Sequence, residues 1–578
     1  MRHLNLDLKV VFEQHTIQGT AVLSIEQALG GAKQVILDSR ALQIDETEVS
    51  PDGLRSQESR FSIGKTDKLL GAPLRIDIAP DTKFVRIRYS TDPTATALQW
   101  LAPEQTAGKQ HPFLYSQSQA IHARSWIPLQ DSPGIRVTFE ARVHVPAGMT
   151  AVMGAAREDS AGSGGKFVGR FTMEQPIPSY LIALAVGDLA FQPTGRRTGV
   201  WAEPSVLPKA AAEFADMEKM LEAAENLYGP YRWNRYDVLV LPPGFPFGGM
   251  ENPRLTFATP TIIAGDKSLV SLVAHEMAHS WSGNLVTNAT WSDFWLNEGY
   301  TVYIERRIVE ELYGPGRAEM EAALGWQELQ EELKSHPSAD QILHVNLEGR
   351  DPDDGATQIP YEKGALFLRQ IESAFGRETF DSYLRAYFDH FAFQSITTAQ
   401  SLEYLHTRLF ALDSQAAGRI HINDWVYRPG LPASAQAPAP EAFQSVDLKL
   451  ADWLRGKNID TTEWTTQEWL HFLRGLPTNL GAAPMRRADT SWHLTESTNN
   501  EILDQWLLMS IRNHYEPANQ RLEEFLLTVG RRKYVKPLYE ALLKRGDVKR
   551  AAAIYEKARP LYHPITQSTI DALIAAKQ

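Results

Sequence analysis

The chain contains no cysteine. Disulfides are therefore excluded, and any metal must be held by His and carboxylate side chains. No apolar run approaches the length of a membrane span. The opening MRHLNLDLKVVF alternates apolar and polar residues and lacks the uninterrupted hydrophobic stretch of an export signal. A cytoplasmic protein without a membrane partner is expected. Charge of one sign is nowhere concentrated: net charge is -12, with Asp and Glu spread along the chain. No basic patch is legible, so no nucleic-acid partner is expected. The acidic balance mildly favours amine-bearing substrates.

With 578 residues, 43% of them apolar and 22% charged, the chain is long enough for three or four domains of an ordinary soluble kind. Its first part is β-rich. Leu4, Leu6, Leu8, Val10 and Phe12 alternate with polar residues, and similar runs recur at Thr20–Ile25, Gln34–Leu37, Leu74–Ile78, Phe84–Tyr89 and Arg136–Val145. These predict a sheet-on-sheet or saddle-like β domain over residues 1–190. Gly162 to Lys166 resembles a phosphate loop only superficially, without the Walker spacing, and reads as a hairpin loop. From about residue 205 the period changes, and Phe214, Met217, Leu221, Ala224 and Leu227 predict one amphipathic helix over Lys209–Tyr228. A short buried strand, Tyr236–Leu241, follows, and the sequence is then mostly helical to Arg428, which places a second domain at 191–428. Residues 429–445 read as a Pro/Ala-rich linker. Beyond it, at 446–578, successive short amphipathic patterns such as Leu503/Trp506/Leu507 and Leu522/Phe525/Leu526 predict stacked helix pairs, an α-solenoid.

The chemistry concentrates between Val273 and Glu305. His275 and His279 stand four apart in an apolar-periodic run with Leu269, Leu272, Val273 and Ala278. On a helix such positions lie about 40° apart around the axis and about 6 Å along it, so two imidazoles can share one metal. Glu276, one position after the first His, can face a water at that metal. Zinc with three protein ligands keeps a fourth position open and lowers the pKa of water there. Alone, H-E-x-x-H is a moderate signal in a chain with 16 His. Glu298 strengthens it, following His279 after eighteen residues in Leu296-Asn297-Glu298-Gly299 and leading an apolar run that suits a second helix. A buried lone Glu is costly unless paired or metal-bound, and its competing reading is an ion pair with Arg306 or Arg307. Upstream, Pro242 to Pro253 is a rigid, glycine-interrupted segment carrying Glu251, whose plain reading is an exposed loop carboxylate. Gln117 to Arg124 is a polar run in otherwise sheet-like sequence.

Taken together, Gly248-Gly249-Met250-Glu251-Asn252, His275-Glu276-Met277-Ala278-His279, Leu296-Asn297-Glu298-Gly299 and Pro360-Tyr361-Glu362-Lys363-Gly364 resemble the gluzincin zinc aminopeptidases. The phrases FGGMENPRLTFATPTIIAGDKSL, SWSGNLVTNATWSDFWLNEG and SQSQAIHARSWIPLQDSP are similar to their leukotriene A-4 hydrolase and aminopeptidase B branch. The resemblance is strongest from about residue 110 to 370. It implies a multidomain α+β chain: a β saddle domain, a thermolysin-like catalytic domain and a C-terminal helical domain of armadillo or HEAT type. It implies one Zn2+ per chain on His275, His279 and Glu298, with Glu276 as general base and Tyr361 stabilising the oxyanion. Glu251 would hold the α-ammonium of a short peptide with a free N-terminus, with Gln119 beside it and Gly248, Gly249 and Met250 forming the wall. Glu305 would orient a zinc-bound His. Asp353 matches an acidic residue tied to epoxide opening and to preference for N-terminal Arg. Arg531 and Lys533 match a segment that binds a substrate carboxylate, against the plainer reading of a solvated basic helix end. A monomer is expected.

Two departures bear on function. Phe247 and Ala356 stand where the leukotriene hydrolases carry Tyr, so peptide hydrolysis is fully equipped and epoxide chemistry is less so. The rivals to a zinc aminopeptidase are an epoxide hydrolase of fatty-acid epoxides, alone or as a second activity, a partner-binding scaffold built on the C-terminal helices, and a thermolysin-like endopeptidase. Intact site residues argue against the scaffold, and Glu251 argues against the endopeptidase.

Overall fold

A computed structural model describes residues 1–27, 31–161 and 167–577. Leu4, Leu6 and Leu8 are fully buried, as their alternation requires. Their strand, His3–Val11, pairs antiparallel with Thr16–Ser24 and parallel with Arg136–Val145, setting Leu4 opposite both Leu23 and Phe139. These strands lie in an eight-stranded sheet. A three-stranded sheet (Gln34–Ser39, Ala72–Asp77, Phe61–Ile63) and a four-stranded one complete the β domain. The four-stranded sheet matters most for the site. Its strand Phe113–Ser116 is buried along its whole length and runs directly into Gln117 and Gln119. Strands Ala156–Ala161 and Phe167–Pro178 pair antiparallel; the hairpin loop expected at Gly162–Lys166 lies outside the described residues.

The central domain opens on a five-stranded sheet. Thr198–Ala202, Tyr236–Val240 and Leu255–Ala258 run parallel, and Gly249–Met250 forms an antiparallel edge on Leu255–Ala258. Tyr236–Val240 is buried throughout, as a central strand covered on both faces must be. The helix expected over Lys209–Tyr228 is two, Leu207–Glu213 and Met217–Tyr228. Side chains at the break are used elsewhere. Glu213 accepts from the amides of Gly265 and Lys267 at 2.8 and 3.0 Å, and Asp216 pairs with Lys267 at 2.6 Å. The break thereby pins the loop that leads into the His275 helix, Ser271–Ala278.

That helix packs against Trp295–Tyr313, which carries Glu298. A Cβ on Gly299 would sit 2.8 Å from the Gly364 Cα, so only glycines allow the segment bearing Tyr361 to lie this close to the Glu298 helix. One continuous apolar core runs through the β and central domains, and the C-terminal helices have their own. The helix Glu441–Leu454 begins inside the segment expected as linker: Phe443 is buried against Met320, Leu324 and Leu470, and this burial overrides the loop-like composition. Beyond it, Thr466–Gly475, Asn500–Arg512, Arg532–Arg545 and Pro564–Ala575 stack in turn, while Asn519–Thr528 packs on Val548–Ala558 in a second row. The C-terminal domain is fastened to the central one by main chain: Gly530 and Arg532 amides donate to the Pro243 and Pro246 carbonyls at 2.9 and 2.8 Å. Among the described residues no helix is long and apolar enough to cross a membrane.

Candidate metal centre and active site

Three side-chain atoms converge where the His275 and Glu298 helices meet. His275 Nε2 lies 3.2 Å from His279 Nε2, and Glu298 Oε2 lies 3.4 and 3.5 Å from them. Hydrogen bonding fixes what these atoms present. His275 Nδ1 is 3.0 Å from Glu305 Oε2, and His279 Nδ1 is 3.0 Å from the Ser282 carbonyl. Both partners can only accept, so each ring carries its proton on Nδ1 and a lone pair on Nε2. Glu298 Oε2 is buried and has no hydrogen-bond partner among the described residues. Three mutually repelling lone pairs in a buried space need a cation. Tetrahedral zinc with bonds of 2.0–2.1 Å spaces its ligands by roughly 3.3–3.4 Å, and the spacing found here matches it. The competing ion pair for Glu298 does not form: Arg306 pairs with Glu362 and Arg307 with Asp381, each at 2.7 Å.

Electrostatics points the same way. Burial pushes His279 down to about 4, so its ring is neutral and ready to ligate. Burial also disfavours charge on His275, but the Glu298 and Glu305 carboxylates outweigh this and draw positive charge to the point between the ligand atoms, charge that a bound dication would supply in place of a proton. Burial raises Glu276 well above the usual carboxylate range, and the carboxylates of Glu251 and Glu298 add to the effect despite His275. The pocket holds an excess of buried negative charge that a dication would offset.

Glu276 faces the edge strand. A Cβ built on Gly249 would stand 2.2 Å from Glu276 Oε1, so glycine at 249 is what makes room for that carboxylate. Ligating atoms of Glu251, Glu276 and His279 lie within 4.8 Å of one another. Glu251 is buried, not the exposed loop residue that composition alone suggests. Its Oε1 accepts from Asn297 Nδ2 at 3.3 Å, and Asn284 Nδ2 holds its backbone carbonyl at 2.8 Å. Among the described residues no Lys or Arg pairs with it. Burial, with Glu298 nearby, pushes its carboxyl up to about 7. Tyr361 lies in a wide helical turn, Ile359–Lys363, its ring parallel to the His275 imidazole with centroids 6.1 Å apart. Gln119 has a buried amide nitrogen with no partner among the described residues.

The outlying candidates are placed differently. Asp353 leans on the β domain, accepting from the Ala120 amide at 3.3 Å and lying 3.4 Å from His122 Nε2. Arg531 is buried behind Gly248, where an added Cβ would meet its Nη2 at 2.7 Å. Arg531 and Lys533 share Glu501, at 3.7 and 3.0 Å. Burial opposes ionisation of Glu501, but Lys533 and Arg531 pull it down to about 2. Any substrate carboxylate here must share these cations with Glu501.

Sequence reasoning missed the residues that orient the others. Asn297 and Asn284 hold Glu251. Ser282 and Thr301 hold His279, with Thr301 Oγ1 3.1 Å from Nδ1. Asn297 was within reach, being the neighbour of Glu298. Tyr180, 3.5 Å from Asn297 Nδ2, had no sequence signal at all.

The chain is similar to known proteins along its length. Residues 212–420 match the peptidase family M1 domain, residues 1–181 the peptidase M1 N-terminal domain and residues 464–574 the leukotriene A4 hydrolase C-terminal domain. Leucine aminopeptidase 2 of Yarrowia lipolytica is 39% identical over 596 residues, covering 97% of this chain and 90% of its own. Leukotriene A-4 hydrolase of Xenopus laevis is 36% identical, covering 99% and 96%. The structure of yeast LTA4 hydrolase in complex with Bestatin superimposes with a TM-score of 0.91 at 33% identity, covering 99% of this chain and 95% of that one.

Proposed function

We propose, for a chain that belongs to peptidase family M1 and is a zinc aminopeptidase, that His275, His279 and Glu298 hold one zinc ion and that Glu251 selects peptides by their free N-terminus. The ion, when bound, supplies Lewis acidity to the scissile carbonyl and to the attacking water. The chain's own side chains do the rest. Glu276 takes the proton of the attacking water and returns it to the leaving amine. The Tyr361 hydroxyl donates to the oxyanion, and it is un-ionised because burial and the neighbouring Glu298 and Glu251 raise it well above its ordinary value. Glu305 fixes the tautomer of His275. The segment Gly248-Gly249-Met250 offers main-chain groups to the peptide, Gln119 lies beside the ammonium, and Asp353, Arg531 and Lys533 meet more distant substrate groups.

The observation that carries this reading is Glu251: a buried carboxylate with no Lys or Arg partner among the described residues, beside Glu276 and His279. A substrate ammonium supplies the missing charge. The proposal includes a monomer with no nucleic-acid or membrane partner, in the cytoplasm. A second reading, opening of a fatty-acid epoxide in the same site, draws on Asp353 and on the C-terminal match to leukotriene A4 hydrolase. It stays second because Phe247 and Ala356 bring no hydroxyl.

The test is a panel of aminoacyl arylamides with and without a chelator. Hydrolysis of free-amine substrates should be lost on chelation and restored by zinc. Activity that survives complete removal of the metal would refute the proposal.

A further inference from the structure

We infer that His122, itself held by Arg40, is a positioning residue for Asp353 and thereby sets how strongly the site favours a cationic N-terminal side chain. The inference rests on the proposed role of Asp353 in binding substrate.

Arg40 Nη1 lies 3.2 Å from His122 Nδ1 and donates to Thr96 Oγ1 at 3.3 Å, while Thr96 Oγ1 lies 2.9 Å from the same ring nitrogen. A guanidinium has donors only, so His122 Nδ1 must present a lone pair. The ring proton then sits on Nε2, 3.4 Å from Asp353 Oδ2. Arg40 is anchored in turn by the Leu69 carbonyl. On its other oxygen Asp353 accepts from the Ala120 amide at 3.3 Å.

Asp353 is thus oriented by two donors, both from the β domain. The Asp353 side chain remains 34% exposed, with lone pairs free for a ligand. A carboxylate fixed in direction suits a guanidinium or ammonium on the first residue of a peptide. Arg40 and His122 touch no substrate in this account, and they act only through Asp353.

The experiment compares kcat/KM for Arg- and Ala-arylamides in wild type, His122→Phe, His122→Gln and Asp353→Asn, with zinc content and thermal midpoint measured for each. His122→Phe should lower the Arg-to-Ala ratio about tenfold, as loss of a hydrogen bond to a charged group does. The change should lie in KM for the Arg substrate. His122→Gln should restore most of the ratio, because its amide nitrogen stands where Nε2 stood and its oxygen faces Arg40. Asp353→Asn should lower the ratio at least as far. An unchanged ratio in His122→Phe beside a lowered one in Asp353→Asn would overturn the inference and leave the role of Asp353 standing. An unchanged ratio in Asp353→Asn would overturn both. Equal loss on both substrates in the two His122 variants would mark a structural role and overturn the inference. If His122→Phe does not fold, Arg40→Met replaces it, with the same fall expected and an unchanged ratio again counting against the inference.

Discussion

Glu276→Gln should retain its zinc and lose turnover by about 10²-fold or more. The substitution keeps the shape of the side chain and its packing against Gly249, where an added Cβ would stand 2.2 Å from Oε1. It removes the basicity that the mechanism assigns to this position and touches none of the three converging ligand atoms. Metal content and rate should therefore separate. Single-turnover measurements on a Leu-arylamide, paired with zinc analysis of the same sample, give both numbers. Near-normal turnover would mean that another group activates the water. Joint loss of metal and rate would mean that Glu276 supports the metal site instead.

A tripeptide acetylated at its N-terminus should be essentially uncleaved, while its free-amine twin is shortened one residue at a time. On the proposed reading the cause is Glu251. A charge-assisted contact between its carboxylate and the α-ammonium is worth roughly 1.5–3 kcal/mol. The acetylated peptide loses that contact and leaves a buried carboxylate facing an amide, which adds a desolvation cost. The wall formed by Gly248, Gly249 and Met250 should further exclude residues upstream of the first. Glu251→Ala should narrow the difference by slowing the free peptide, with its zinc retained. A time course of both peptides by mass spectrometry decides the matter. Comparable cleavage of the acetylated peptide would favour endopeptidase action.

The residues that converge at the candidate metal centre carry local signals. His275, Glu276 and His279 share a single helical segment, and Glu298 announces itself by an apolar run with a costly carboxylate in it. Leu4, Leu6 and Leu8 likewise showed their strand by its two-residue period. What escaped depends on contacts made far along the chain. Nothing near Phe214 says that Glu213 will cap the amides of residues 265 and 267, so one helix was expected where there are two. Phe443 looks like linker until its burial against Met320 and Leu324 is seen. Gly249 was legible as a point of close approach, but sequence alone did not show that the group approached is the Glu276 carboxylate. Arg531 and Lys533 matched a binding segment, while their shared partner Glu501 was invisible. The link from Arg40 through His122 to Asp353 joins three separate stretches of chain, and no local pattern announces it.

The most direct test of the metal centre is the zinc content of the Glu298→Ala protein after exhaustive dialysis, measured by atomic emission beside wild type. Three converging lone pairs, one of them on a buried oxygen with no other partner, predict one equivalent in wild type and a small fraction of that in the variant, with activity falling in step. A full equivalent of zinc retained by Glu298→Ala would contradict the account.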